Sequence, residues 1–316
     1  MAVKDKKALG WVVLLVVLPL LGEVAGRQYL TMVTLMLFFA TLASAWDIMG
    51  GRAGQVSLGN AAFLAVGAYT STLLFLRFGI SPWIGILAAG AVAGLSSFVI
   101  GATALRLKGV FFVMGSLAFV QVIQLLLTHY VDITNGDIGL FIPLTSNVAE
   151  MQFGQPILYA WLIDGILFLA IIANYVISKR RMGYYLSGIK EDEDAAQALG
   201  INTGLYKSMA FFISAFITGM AGTFYAQYFL FITPTSTATI TLSIDIVLAA
   251  IIGGTGRIWG PVLGGIVYEA VTYFLQQTFP NVAGLNYALI GILLMAIVLV
   301  RPQGLLTLVE RVRRGK

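Results

Sequence analysis

The chain has 316 residues, of which 59% are hydrophobic and only 10% charged. A water-soluble protein of this size needs roughly a quarter of its residues charged, so a soluble globular protein is excluded and a helical membrane protein is indicated, because the bilayer forces backbone groups to pair within each segment. With no cysteine and His129 as the lone histidine, disulfides, thiol nucleophiles and multi-histidine metal sites are excluded as well.

A membrane span requires about 20 mostly apolar residues. In chain order the candidates are 9–26, 29–46, 60–78, 82–105, 109–129, 156–178, 208–230, 241–253, 259–279 and 285–300, ten in all. The first, within "KDKKALGWVVLLVVLPLLGEVAG", also has the basic start and short apolar run of a signal peptide. The apolar pattern resumes almost at once, so retention is expected. The eighth is short enough to be re-entrant or broken.

Lys and Arg collect in cytoplasmic loops. With the N-terminus inside and strict alternation, 17 of the 19 basic residues fall inside, and only Arg27 and Arg77 fall outside. The longest external loop, 130–155, holds Asp132, Asp137 and Glu150 and no basic residue. Adding or removing one span would reverse part of this pattern. The expected architecture is an all-α polytopic bundle of about ten transmembrane helices, one membrane domain over 1–316 with both termini cytoplasmic. It carries a cytoplasmic hairpin at 179–207 and a basic tail at 301–316.

Within that hairpin, "IKEDEDAAQALGIN" places four consecutive acids, Glu191 to Asp194, in a chain otherwise poor in charge. Acids suit the positive end of a helix dipole, the alanines that follow are good helix formers, and Gly200 supplies a left-handed stop. Ala195, Ala196 and Leu199 are expected on one side. A helix lying on lipid headgroups would show Lys and Arg opposite large apolar residues, and acids beside anionic lipid are repelled. A short, acidic, small-faced helix suits a cleft on a separate protein better.

Asp194-Ala195-Ala196 followed by Gly200 resembles the cytoplasmic signature loop of ABC-importer permeases, with Asp where that loop usually has Glu. The wider stretches are similar to permease subunits of branched-chain amino-acid importers of the LivM type, in the LivHM family. These are "GGRAGQVSLGNAAFLAVGAYT" (Gly50 to Thr70), "LRLKGVFFVMGSLAF" (Leu105 to Phe119), "IIGGTGRIWGPVLGG" (Ile251 to Gly265) and "RPQGL" (Arg301 to Leu305). The resemblance implies a bacterial inner-membrane subunit translocating branched-chain or other hydrophobic amino acids. It implies a coupling helix formed by Glu191, Asp192, Asp194, Ala195, Ala196, Leu199 and Gly200 that docks on an ATPase. The implied partners are a second permease of LivH type, two ATP-binding subunits of LivG/LivF type and an extracytoplasmic substrate-binding protein. No cofactor is implied in this chain, with ATP and Mg on the partners; nothing suggests nucleic acid.

The nearest approach to a phosphate-binding loop is "GYYLSGIK" (Gly183 to Lys190), which lacks the Gly-Lys-Ser/Thr ending. No catalytic residue is assigned and the chain is not expected to be an enzyme: it has no nucleophile elbow and no metal motif. Clustered glycines in "WDIMGGRAGQVSLGNAAF" and "IIGGTGRIWGPVLGG" either expose backbone to a solute or allow close helix packing, as Gly90/Gly94 and Gly260/Gly264 suggest. Ionisable residues inside spans are functional candidates by default. Asp164, Asp245 and Glu269 stand inside, with Asp47 and Arg257 near span ends and His129 near an external end. The candidate pathway residues are Gln55, Ser57, Asn60, Gln121, Asp245 and Glu269. Alternative functions are a related ABC permease for urea or another small polar solute, and a stand-alone secondary transporter.

Overall fold

The computed structural model describes residues 2–104, 109–145, 147–278, 284, 288–289, 291–292 and 304–307. Nine long helices match the first nine expected spans. They are α1 (Ala2–Ala25), α2 (Arg27–Asp47), α3 (Asn60–Phe78), α4 (Pro82–Ala104), α5 (Val110–His129), α7 (Ile157–Lys179), α10 (Thr203–Phe229), α12 (Ile240–Gly253) and α13 (Gly260–Thr278). Shorter helices are α6 (Val131–Thr134), α8 (Arg181–Glu191), α9 (Glu193–Ala198) and α11 (Pro234–Thr237). The tenth expected span, 285–300, and the tail, 301–316, lie largely outside the described residues.

Seven of the described segments are long and apolar enough to cross a membrane. The eighth expected span is longer than its sequence pattern suggests. Fourteen residues of α12 reach only about 21 Å at 1.5 Å per residue, but α11 leads directly into it, and together Pro234–Gly253 supplies 20 residues. The α13 helix is long but less apolar, since Tyr268, Glu269, Thr272 and Gln276 share one of its faces. That face turns into the bundle.

Loop contacts sort the chain into two faces with the expected parity. On one face, Lys190 Nζ donates to Gly51 O at 2.9 Å, Gly256 N donates to Asp47 Oδ1 at 2.7 Å, and Trp11 stacks on Trp259. Leu305 N donates to Ile252 O on that same face. On the other face, β1 (Leu140–Phe141) pairs antiparallel with β2 (Phe231–Ile232), and Arg77 donates to the carbonyls of Asp132 and Ile133. Trp83 Nε1 donates to Val148 O there. Residues expected on opposite sides of the bilayer do not meet in any of these contacts. The external loop is more ordered than a bare connection, with α6, the two-stranded ribbon and short 3₁₀ turns at Gly136–Ile138 and Val148–Glu150.

Small residues bring the helices together. Helix α10 packs most extensively on α4 and α3, while α13 packs on α2 and α12. Gly67 lies against the backbone of Gly219, and Gly222 against Leu64 O and Ala68 N. Gly90 and Gly94 seat the side chains of Phe216, Met220 and Phe212. Gly260 and Gly264 meet Gly253, Gly254 and Ala249, and Gly265 rests on Ala40. Without a hydrophobic drive between helices in lipid, such close approach maximises dispersion contact. Larger apolar residues such as Leu95, Val99, Phe111 and Leu125 point outward, as a lipid-facing shell requires.

Candidate functional site

The acidic run does not form one helix. Helix α8 ends at Glu191, and Asp192 leaves helical geometry at φ −155°, ψ 109° to become the N-cap of α9. Its carboxylate accepts from Asp194 N at 2.9 Å and Ala195 N at 3.0 Å, satisfying two of the orphan donors that every helix start leaves. At the other end Gly200 has φ +84°. Its N–H donates to Gln197 O and that of Ile201 to Ala196 O, the paired bonds of a left-handed helix stop.

Each acid has its own orientation. Glu193 turns inward, where Lys207 Nζ donates to Oε1 at 2.6 Å; the lysine side chain is 1% exposed and the glutamate 18%. Thr203 Oγ1 also donates to that oxygen and receives Gln197 Nε2 at 2.8 Å. Lys207 therefore belongs to α10, one turn inside the helix, and not to the loop in which its charge suggests placing it. Glu191, Asp192, Asp194, Ala195 and Gly200 are exposed, and Leu199 is 83% exposed. Ala196 departs from the expected small apolar face: at 3% exposure it is packed in the main core cluster with Leu186 and Ile189. The hairpin thus has a buried inner side and an outer side that includes three acids and one bare leucine.

The hairpin is tied to one glycine-rich turn, and the end of α2 beside that turn holds the other. Asp47, fully buried at the end of α2, holds the 254–258 turn through Gly256 N, while Lys190 holds Gly51 O. Arg52 Nε donates to Asn174 Oδ1 at 2.8 Å, and Asn174 Nδ2 donates to Ser44 O. Burial lowers the pKa of Arg52 from its ordinary value, and the Asp47 charge counters that. The glycines here serve backbone approach: a Cβ at Gly51 would overlap the Asp47 carboxylate.

The six candidate pathway residues separate into groups. Asp245 and Glu269 meet in a cavity of about 370 Å³ between α2, α10, α12 and α13. Its apolar wall includes Phe38, Phe39, Tyr225 and Phe229, and its polar lining adds Tyr268, Thr272 and Gln276. Tyr268 OH donates to Asp245 Oδ1 at 2.6 Å. Glu269 is 6% exposed, and its carboxyl makes no hydrogen bond or ion pair among the described residues. Ser57 and Asn60 sit elsewhere, where the start of α3 meets α5 and α12. Leu58 N donates to Ser116 Oγ, Ala61 N to Ser243 Oγ, and Trp46 Nε1 to Ser57 O. Both polar atoms of the Asn60 side chain, and Gln55 Oε1, are buried without a partner among the described residues. Gln121 is exposed on α5 and joins neither group. Tyr268, Thr272 and Gln276 escape a reading based on charge, yet with Glu269 they mark one side of α13 at helical spacing.

Other intramembrane candidates lie outside that cavity. Asp164 is buried on α7 with Oδ1 unpartnered among the described residues. His129 is exposed at the end of α5 beside Tyr130. No group of three or more His, Asp or Glu able to hold a metal occurs among the described residues.

A bundle of small-residue helix contacts, two convergent glycine turns and a capped acidic hairpin match a known pattern over most of the chain. The family model for the branched-chain amino acid transport system permease component matches residues 28–298. The chain belongs to this family. Similar proteins include the high-affinity branched-chain amino acid transport system permease protein LivM of Escherichia coli, 27% identical, covering 95% of this chain and 75% of that protein. The high-affinity branched-chain amino acid transport system permease protein LivH of Escherichia coli is 25% identical over 89% of this chain and 94% of its own length. The nucleoside ABC transporter permease protein NupC of Lactococcus lactis is 29% identical over 61% of this chain and 66% of its own. Members of the family are multi-pass transport permeases, and the described helices of this chain have the length and apolarity for that role.

Proposed function

We propose that the chain is one permease subunit of an ABC importer for branched-chain or other hydrophobic amino acids, seated in a bacterial inner membrane with both termini cytoplasmic. The observation that carries this reading is the α8–α9 hairpin. Its inner side is pinned to α10 by Glu193–Lys207 and by buried Ala196, while Glu191, Asp192, Asp194 and Leu199 project outward. Exposed leucine and acids on a rigid, capped mount suit docking to a soluble protein. The hairpin's second tie, Lys190 to Gly51, leads to the glycine turns, so displacement of the hairpin reaches α2 and the α12–α13 turn directly.

In this reading the whole of 1–316 acts as one membrane domain that does no chemistry and holds no cofactor. ATP and Mg belong to two LivG/LivF-type subunits, a LivH-type permease completes the channel, and an extracytoplasmic protein delivers the substrate. The face carrying the hairpin is cytoplasmic, in accord with the concentration of Lys and Arg there. The similarity to NupC supports a second substrate class, nucleosides, which competition in the uptake assay separates from amino acids. The chain has no cysteine, so a Leu199→Cys variant gives a single cross-linking point. Capture of an ATP-binding subunit is expected. Absence of such capture, together with uphill uptake by the chain without any ATPase, overturns the reading.

A further inference from the structure

We propose that the cavity lined by Asp245 and Glu269 binds a primary ammonium group bearing a short aliphatic chain, the cationic end of the transported amino acid. The inference rests on the amino-acid reading above and assigns that substrate's amine a place. A volume of about 370 Å³ falls at the small end of the roughly 300–1,000 Å³ range of small-molecule sites. Two carboxyl groups line it and, among the described residues, no Lys or Arg does, so the charge it favours in a ligand is positive. Asp245 already accepts from Tyr268, whereas Glu269 is almost wholly buried and without a protein partner among the described residues. A buried carboxylate without a partner is costly inside a membrane bundle, and a bound cation offsets that cost.

The opposite wall fixes the rest of the ligand. Phe38, Phe39, Tyr225 and Phe229 line it; aromatic ring faces attract an ammonium electrostatically, and the rings accept an aliphatic chain. The ligand's own carboxylate finds no basic partner among the described lining residues, only neutral polar groups such as Ser236, Thr272 and Gln276. Recognition is therefore of the amine. The lining residues Thr272, Gln276 and Phe229 lie towards the C-terminal ends of α13 and α10, and α10 runs straight into the β1–β2 ribbon, so the cavity belongs to the half of the bundle nearer the proposed external face.

The test uses the complete transporter in nanodiscs with this chain carrying one cysteine, Thr272→Cys, followed by mass spectrometry of this chain alone. Its labelling by a cationic aminoethyl methanethiosulfonate is compared with labelling by the anionic sulfonatoethyl reagent, each normalised to an exposed Tyr130→Cys. The cationic reagent is expected to be favoured at least about tenfold, the scale at which a one-signed cleft concentrates counter-ions. Glu269→Gln should reduce that preference to about twofold or less, and Glu269→Asp should restore it. Leucine and isopentylamine should both protect the cysteine, and isocaproate should not. Equal labelling by the two reagents, protection by isocaproate, or no protection by isopentylamine overturns the proposal. If leucine uptake is intact while amine protection fails, this site falls and the transport reading stands. If amine protection holds without leucine uptake, the converse applies.

Discussion

Lys207→Met removes the anchor of α9 while keeping the length of the side chain. The contact to be broken is a 2.6 Å charge-assisted bond whose lysine is 1% exposed and whose glutamate is 18% exposed. Exposed ion pairs contribute about 0–1 kcal/mol, and breaking a buried one by removing a single partner costs about 3–5 kcal/mol. Glu193 keeps the Thr203 hydroxyl and some access to water, which places Lys207→Met between these limits, at about 2 kcal/mol. Glu193→Gln takes this carboxylate from the more deeply buried partner of the pair and should cost more, about 3 kcal/mol. The double variant, with a neutral pair of similar volume, should recover most of the loss. Hydrogen–deuterium exchange on the purified complex reads the local opening of α9: amides from Ala196 to Ile201 should exchange about 30-fold faster in Lys207→Met. Exchange within twofold of the parent in both single variants, or a double variant as fast as Glu193→Gln, refutes the claim that this pair holds the hairpin.

Gly222→Ala places a Cβ against Leu64 O and within 2.7 Å of Ala68 N, so overpacking of about 1–3 kcal/mol should lower the thermal midpoint in detergent. Gly165→Ala, with nothing within 4 Å, should leave that midpoint unchanged. Asp47→Leu strands the Gly256 N–H and should cost about 1.5–3 kcal/mol, seen as faster amide exchange confined to the 254–258 turn; Lys190→Met, losing one bond to Gly51 O, should show a smaller effect. Leu199→Glu should leave membrane insertion and thermal stability unchanged while reducing uptake per ATP hydrolysed, whereas Ala196→Trp, at a buried position, should lower stability itself. If Leu199→Glu transports with unaltered coupling, the outer side of the hairpin is not the docking side.

By itself the sequence determined the membrane class, the first nine long helices and which loops share a face. Those properties depend on the length of apolar runs and on the placement of Lys and Arg, quantities local to each segment and imposed by a solvent about 30 Å thick. It also determined the hairpin's stop at Gly200, which acts on backbone only a few residues away, whereas the break at Asp192, which caps a second helix, emerged only in the structure. What tertiary structure decided is every property that requires knowing which side of a helix faces a neighbour. Ala195 and Ala196 are adjacent identical residues, yet one is exposed and the other buried. Glu193 and Asp194 are adjacent acids, yet one anchors the hairpin on Lys207, 14 positions away, and the other faces out. Likewise Asp245 and Glu269 share a cavity while Asn60, equally polar, lies in a separate knot with Ser243 nearby. In a bundle whose spans are apolar on both their inner and outer faces, periodicity cannot mark the inner face, because lipid and protein interior accept the same side chains. Packing of small residues against one another selects it instead, and that selection exists only once the helices are assembled.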